Sequence, residues 1–490
     1  MIKNILITIN ENNFEYDVQS LVKAFFPKGN VVLWRNDKGN LTYDLKVTLI
    51  LEADKVAFSG EWADKTESVT AEINYNNRTE TKNAVKRAMY KVLKKISGKE
   101  LPWGTLTGIR PCKIPTMLIE KNADDNEIYK YMKDTYYVSD EKINLATDIA
   151  RYEHELLSKI DYKNGYSLYI GIPFCPTTCL YCSFTSYPIS LYGKKADEYV
   201  NALCSEMDYV AQRFKEKTLN SVYIGGGTPT TLTPLQLERI LSNLTEKFNV
   251  QDALEFTVEA GRPDSITEEK LKVLKKYNVG RISINPQTMQ QKTLDIIGRR
   301  HTVKQVKDVF AMARNMGFDN INMDFIVGLP DETIDDVRDS MEQTLLLNPD
   351  SITVHSLAIK RAARLNIFKD QYSEMSMENN NEIMNLTREY AGKMSMKPYY
   401  LYRQKNMAGN MENVGYARIG KEGIYNILIM EDKQTIIACG AGASTKVVFT
   451  DVNNEGRIER IENVKDVDNY IERINEMIER KRNFFEENVI

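Results

Sequence analysis

Three cysteines fall within eight residues of this 490-residue chain, and their spacing is the strongest chemical signal in the sequence. Cys175, Cys179 and Cys182 form a C-x₃-C-x₂-C pattern directly after a short apolar run. Three thiolates on one loop can bind three irons of a [4Fe–4S] cube and leave the fourth iron open to a small chelating ligand. Zinc is the alternative, but a structural zinc site normally has four protein ligands, and none of the histidines lies in this loop. The spacing therefore favours an iron–sulfur cluster.

Glycine and polar residues follow the next apolar runs of the chain. Residues 225–227 are three glycines, and a turn without Cβ atoms lets the polar groups of a ligand reach the backbone. Glu259 follows the third run, Asn285 and Gln287 follow the fourth, and Asp324 lies in the fifth. Because the carboxyl ends of parallel barrel strands carry the functional residues, we expect this set to lie beside the cysteine loop.

Strand-like and helix-like stretches alternate six times from Ser167 onward. This alternation predicts βαβ units and an α/β fold built on an open, partial (β/α)₆ barrel. The predicted domains are a small N-terminal α/β domain (1–98), a helical connector (99–163), the barrel (164–397) and a C-terminal α+β subdomain (398–490).

The composition restricts the function class. Lys+Arg total 65 and Asp+Glu total 68, so the net charge of −3 argues against a chain that mainly coats nucleic acid or an anionic membrane. No apolar run approaches the roughly 20 residues that a membrane span needs, and the first residues resemble a strand and not a signal peptide. We therefore expect a cytoplasmic protein without a membrane span. A predicted helix near residues 82–96 carries a basic face that we interpret as a solvated surface, with RNA or anion binding as the alternative: Lys82, Lys86, Arg87, Lys91, Lys94 and Lys95.

The cysteine loop, with an aromatic residue before the last Cys, resembles the signature of the radical S-adenosylmethionine (SAM) enzymes. In that superfamily the methionine part of SAM chelates the open iron of a [4Fe–4S] cluster, and one-electron reduction yields a 5′-deoxyadenosyl radical. Three segments together resemble the oxygen-independent coproporphyrinogen III oxidase family: 169–175, 225–230 and 324–330. Within that family the chain most resembles the HemZ type, because of three further segments: 257–264, 355–361 and 399–406. The resemblance covers roughly residues 100–450.

Carried over by motif position, the resemblance implies a set of SAM contacts in addition to the three cluster cysteines: Tyr169, Tyr181, Gly226, Gly227, Thr228, Glu259, Gln287, Arg299 and Asp324. The chain departs from the family at Phe184, where decarboxylating members carry a fourth Cys near a second SAM. This departure puts in doubt a direct transfer of the decarboxylase mechanism.

The resemblance implies oxidative decarboxylation of coproporphyrinogen III to protoporphyrinogen IX in haem biosynthesis, with a reductant such as flavodoxin or ferredoxin as partner. A tetrapyrrole with four propionates requires cations, and five basic residues are the candidates: Lys360, Arg361, Arg364, Arg403 and Lys405. A solvated basic face explains the first three equally well. One alternative function is a haem-binding or haem-delivery protein of the same family. Another is a radical SAM enzyme that acts on another tetrapyrrole or on RNA.

Overall fold

Two compact units make up the chain: Met1–Arg151 with Tyr402–Asn406, and Tyr152–Leu401 with Met407–Ile490. The structure, a computed structural model, describes residues 2–34, 42–108, 110–372, 374–404, 407–450 and 456–488, without the side chains of residues 369 and 370. The domain boundaries that the sequence suggests, at residues 98, 163 and 397, stay predictions.

The first unit contains a five-stranded sheet in the order β2-β1-β3-β4-β5. Its elements are β1 (Asn4–Ile9), α1 (Glu15–Phe25), β2 (Asn30–Leu33), β3 (Leu45–Leu51), β4 (Lys55–Trp62), β5 (Lys65–Glu72), α2 (Arg78–Ser97), α3 (Lys113–Ile119), α4 (Asp125–Tyr136) and the first part of α5 (Asp140–Leu157). Side chains alternate between the two faces of β3, so every second one is buried. The buried side chains pack against the apolar faces of α1 and α2.

The basic face of α2 is neutralised in part by its own unit. Lys86 is buried, with its Nζ 3.0 Å from Asp17 Oδ1 and 2.8 Å from Thr107 Oγ1. The expectation that Lys86 lies on the solvated face is therefore wrong, because its ammonium group forms an ion pair with Asp17 on α1 inside the unit. Lys95 pairs with Glu67 at 2.9 Å. These pairs reduce the positive charge that an RNA-binding face would need.

The second unit contains the predicted barrel. Its strands are β6 (Gly165–Ile172), β7 (Phe174–Cys175), β8 (Tyr187–Pro188), β9 (Thr218–Gly226), β10 (Glu255–Gly261), β11 (Arg281–Ile284), β12 (Ile321–Val327), β13 (Ser351–Ser356), β14 (Lys397–Tyr402), β15 (Asn413–Ala417), β16 (Thr435–Cys439), β17 (Ser444–Val448) and β18 (Ile458–Glu462). Its helices are α6 (Ile189–Tyr192), α7 (Ala196–Arg213), α8 (Pro234–Lys247), α9 (Glu268–Lys276), α10 (Gln291–Ile296), α11 (Val303–Asn315), α12 (Ile334–Leu347), α13 (Arg364–Ile367), α14 (Asn381–Lys393), α15 (Ile424–Glu431), α16 (Val467–Glu472) and α17 (Ile474–Glu487). None of the helices in the described ranges combines the length and apolar character that crossing a bilayer requires.

Six neighbouring parallel strands, β6 and β9–β13, form the centre of an eleven-stranded sheet. The sheet runs β14-β15-β13-β12-β11-β10-β9-β6-β16-β17-β18 and has two edges, so the barrel is open. Strand β16 pairs in parallel with β6, and β15 pairs antiparallel with β13. The segment 398–490, expected as a separate subdomain, thus extends the barrel sheet at both sides. All five residues of β16 are buried, which explains why this strand joins the core.

A buried ion pair connects α7 with the C-terminal helix α17. Lys481 Nζ lies 2.6 Å from Glu206 Oε1, and both side chains are fully buried. Glu206 also accepts from Tyr470 Oη at 2.6 Å and from the Gly440 amide at 2.8 Å. Every oxygen of this carboxylate is therefore satisfied, which is the condition under which a buried charge is tolerated.

Replacing Lys481 by Met should lower the free energy of unfolding by about 3–5 kcal/mol, because it leaves the Glu206 charge buried without its cation. The same change at Lys195, whose partner Asp468 is exposed, should cost less than about 1 kcal/mol. Chemical denaturation of the two variants measures both values. Equal losses in the two variants would contradict this account of the pair.

Candidate cofactor site

The cysteine loop begins where β6 ends and is fixed to the turn that follows α10. The Leu180 amide donates to the Ile297 carbonyl at 3.0 Å, and Thr177 Oγ1 donates to the Gly298 carbonyl at 3.3 Å. Cys175 and Cys182 are half-buried and Cys179 is buried. One backbone bond and one side-chain bond therefore hold the loop that carries the three thiols at the carboxyl end of the barrel strands.

The electrostatics of the loop suit a cationic cluster. Burial raises the pKa of the Cys175 thiol to about 11 and also raises the pKa of Cys182. Neighbouring loop thiols also disfavour the ionisation of Cys175 and Cys182, so three thiolates together require a positive group among them. In the described part of the chain, no three His, Cys, Asp or Glu side chains converge on a single metal ion. Cysteines of a [4Fe–4S] cube bind different irons and need not converge on one point, so the donor set fits the cube.

The glycine turn at the end of β9 lies against the backbone that precedes Cys175. The Gly227 amide donates to the Ile172 carbonyl at 2.7 Å. A Cβ on Gly227 would lie 2.5 Å from the Phe174 carbonyl oxygen, so no larger residue fits there. Gly226 has φ +104°, which favours glycine. Thr228 Oγ1 is 3.6 Å from Cys175 Sγ, which brings the end of this turn to the cysteine loop.

The carboxylate of Glu259 is buried close to several tyrosine rings. Tyr223 donates a short hydrogen bond to its carboxylate. Burial is the main cause that raises the pKa of Glu259 to about 7; the Tyr223 bond lowers it and the nearby Asp324 raises it. The rings of Tyr169 and Tyr425 both stack on that of Tyr223, with centroids 6.3 Å and 4.5 Å away. Tyr425 was absent from the sequence prediction, since no motif marks it.

Gln287 and its neighbours present unpartnered polar atoms. Gln287 has φ +72°, and its backbone N–H donates to the Asp324 backbone carbonyl at 2.9 Å. Its Oε1 and the Oδ1 of Asn285 are buried without a hydrogen-bond partner. Left-handed backbone at a non-glycine residue and buried orphan acceptors both carry a free-energy cost, which a bound ligand with donor groups would offset. The amino group and the ribose hydroxyls of SAM are donors of this kind.

Two arginines contact the cysteine loop. Arg299 donates to the Asn285 carbonyl; although burial disfavours its charge, Tyr181 and Cys179 raise its pKa. Arg262 is 2% exposed and donates to Thr177, a residue of the loop. The sequence prediction includes Arg299 and omits Arg262. The sequence feature that could have identified Arg262 is its position at the end of a barrel strand, two residues before the acidic Asp264.

The basic residues that are predicted to bind propionates differ in exposure and in their contacts. Arg361 and Arg364 are exposed, and the segment that carries them is joined to the cysteine loop, since the Leu365 amide donates to the Leu180 carbonyl at 2.9 Å. Lys360, the third cation of this segment, is half-buried. Lys405 lies outside the described residues.

Arg403 has a structural role in the first unit. Its side chain is 4% exposed, and Nη1 donates to the Leu106 carbonyl at 2.6 Å. Its guanidinium also lies 5.8 Å from the ring centre of Trp103. These contacts are made within the first unit, and propionate binding by Arg403 stays a prediction.

Comparison with known proteins identifies the family of this chain. The model of the radical SAM superfamily matches residues 169–344. The oxygen-independent coproporphyrinogen-III oxidase-like protein HemZ of Bacillus subtilis is 39% identical over 83% of this chain and 82% of its own length. The chain belongs to the coproporphyrinogen-III oxidase-like family of radical SAM proteins. Heme chaperone HemW of B. subtilis is 32% identical over 60% of this chain and 74% of its own length.

One solved structure confirms the fold of this radical SAM protein. Coproporphyrinogen III oxidase (HemN) from Escherichia coli matches with a TM-score of 0.51 and 21% identity over 66% of this chain and 73% of that one. The predicted partial barrel is thus confirmed. So are the predicted cofactors, a [4Fe–4S] cluster and SAM, because the superfamily uses both.

Proposed function

We propose that this radical SAM protein is a cytoplasmic oxidoreductase that converts coproporphyrinogen III to protoporphyrinogen IX. Two propionates would lose CO₂ and become vinyl groups, with one electron passing to an acceptor for each. The observation that carries the proposal is the convergence of the cysteine loop, the glycine turn and the orphan acceptors Asn285 and Gln287 at one end of the barrel. The likeness to HemZ supports the tetrapyrrole as substrate class.

Cys175, Cys179 and Cys182 would hold the cluster, and SAM would lie between Gly226, Gly227 and the strands that follow. When bound, the two cofactors supply one-electron, hydrogen-abstracting chemistry. The residues of this chain would bind and orient SAM. The backbone of the glycine turn would contact the methionine part of SAM, and the Glu259 carboxylate would accept hydrogen bonds from the ribose hydroxyls. Gln287 and Asp324 would fix the rest of the nucleoside, near Tyr169, Tyr181, Thr228 and Arg299.

The SAM affinity should depend on the ionisation of Glu259. With a pKa of about 7, the carboxylate is mostly ionised at pH 8 and mostly protonated at pH 6. Because only the carboxylate accepts from both ribose hydroxyls, we expect the SAM Kd to rise about tenfold as the pH falls from 8 to 6. Anaerobic equilibrium dialysis of SAM against the holoprotein measures this.

Two variants isolate the effect of Glu259. Glu259→Gln should bind SAM weakly at both pH values, without the pH dependence. Glu332 is the matched control, since burial also raises its pKa to about 7 and its carboxylate accepts a hydrogen bond from the Thr288 hydroxyl. Glu332→Gln should keep the pH dependence; its loss there, or its persistence in Glu259→Gln, would contradict the assignment.

Arg361 and Arg364 would bind substrate propionates beside the cluster. Each exposed ion pair contributes about 0.2–1 kcal/mol, so Arg364→Gln should raise the KM for coproporphyrinogen III roughly 1.4-fold to fivefold, with little change in SAM cleavage. Arg338 on α12, which pairs with Asp335, provides the control. An unchanged KM in the double variant Arg361→Gln, Arg364→Gln would exclude this segment from substrate binding.

The proposed activity is tested by anaerobic incubation of the reconstituted protein with SAM, a reductant and coproporphyrinogen III. We expect protoporphyrinogen IX and 5′-deoxyadenosine, neither of which should form with Cys179→Ala. Cleavage of SAM without any vinyl product would contradict the proposed substrate and leave the radical SAM assignment intact.

A haem-binding or haem-delivery function is the second candidate. Phe184, two residues after the last cluster cysteine, is 75% exposed, and the HemW chaperones are similar to this chain. An exposed aromatic ring beside the site suits contact with a porphyrin face. Stoichiometric haem binding that weakens in Phe184→Ala, without vinyl product in the assay above, would favour this function.

A further inference from the structure

Arg262 extends from the end of β10 to the cysteine loop. Its Nη1 donates to Thr177 Oγ1 at 2.6 Å and to the Thr177 carbonyl at 3.3 Å. The same nitrogen lies 4.0 Å from Cys179 Sγ, within the range of a hydrogen bond to sulfur. One guanidinium thus contacts both the backbone of the loop and one of its thiols.

Asp264 fixes the orientation of Arg262. The pair is bidentate: Nε donates to Oδ1 at 2.9 Å and Nη2 donates to Oδ2 at 2.6 Å. This leaves Nη1 directed at the loop. Although burial opposes ionisation, the Arg262 bond and charge lower the pKa of Asp264, so the acid is an anion. His301 lies 4.0 Å from Asp264, and burial lowers its pKa to about 3, so it is neutral.

We propose that Arg262 is a positioning residue that raises the reduction potential of the iron–sulfur cluster through its charge and its hydrogen bond to Cys179, and that Asp264 moderates this effect. The physical reason is that a reduced cluster carries one more negative charge than an oxidised one. A nearby buried cation therefore stabilises the reduced state, and a nearby anion destabilises it. Arg299 adds a second cation beside Cys179.

The inference rests on the cluster in the proposed function and not on the tetrapyrrole. It concerns how readily the chain accepts the electron that starts SAM cleavage, which every substrate hypothesis above shares. Because the guanidinium is almost fully buried, solvent and salt screen its charge only weakly.

Redox titration of the anaerobically reconstituted holoprotein, followed by EPR, tests the proposal. We expect the midpoint potential of Arg262→Met to be more negative than that of the wild type, and that of Arg262→Lys to lie between them. The potential of Asp264→Asn should shift in the opposite direction, because it removes an anion and keeps the cation. A purely structural role for the pair would not give shifts of opposite sign.

Arg314→Met is the matched control, since Arg314 pairs with Asp350 near the amino ends of the barrel strands. Its potential should equal that of the wild type. Iron content confirms that each variant carries the cluster. Equal potentials in all loaded variants, or shifts of one sign in both Arg262→Met and Asp264→Asn, would overturn the inference. A wild-type protein that takes up no cluster would instead contradict the proposed function.

Discussion

Replacing Cys179 by Ala should abolish both the cluster and SAM cleavage. Of the three loop thiols, Cys179 is the most buried, and Arg262 and Arg299 both face it. Its loss removes one of the three iron ligands, so no weaker form of the site is expected to assemble. After reconstitution, iron content and visible absorbance should fall to background, and no 5′-deoxyadenosine should form.

Cys204 provides the control for that experiment. It is a free thiol on α7, outside the loop, and burial raises its pKa to about 11. Cys204→Ala should therefore keep full iron content and SAM cleavage. A Cys179→Ala protein with wild-type iron content and absorbance would contradict the ligand assignment.

Replacing Gly227 by Ala should weaken SAM binding severely. The added Cβ would lie 2.5 Å from the Phe174 carbonyl oxygen and 2.8 Å from that of Ile172, both of which are backbone atoms. One of the two segments must move, and each carries part of the cofactor site. Overpacking of this kind costs about 1–3 kcal/mol, which corresponds to a rise in SAM Kd of roughly fivefold to 150-fold. Anaerobic equilibrium dialysis measures the change.

Gly280 is the matched control for Gly227. It stands one residue before β11, and the nearest atom to an added Cβ is the Phe256 carbonyl oxygen at 3.9 Å, an ordinary contact. Gly280→Ala should bind SAM as the wild type does. Equal affinities in Gly227→Ala and the wild type would show that the turn does not hold SAM.

Local motifs made part of the site predictable from the sequence. The cysteine loop and the glycine turn each require few consecutive residue types, and alternating apolar runs identified the strands that precede them. The position of polar residues along the parallel strands leads us to expect Glu259, Gln287 and Asp324 near the cysteine loop. In the structure Glu259 and Asp324 lie within β10 and β12, and Gln287 follows β11. Parallel strands bring residues that are distant in sequence to one end of the barrel.

Contacts that depend on tertiary packing were not predictable in this way. Arg262 reaches a loop 83 residues earlier, and β16 pairs with a strand more than 260 residues before it. Arg403 is another example, since neither its charge nor its motif position indicates that it is buried and donates to the Leu106 carbonyl. Burial and partner choice are properties of the folded chain, so a residue's type and motif position do not determine them.

EPR of the reduced, iron- and sulfide-reconstituted protein, recorded with and without SAM, tests the central claim most directly. The account predicts a signal from a reduced [4Fe–4S] cluster whose g values change when SAM is added, since SAM would bind its open iron. A cluster signal that SAM leaves unchanged, or no cluster signal in fully reconstituted protein, would contradict it.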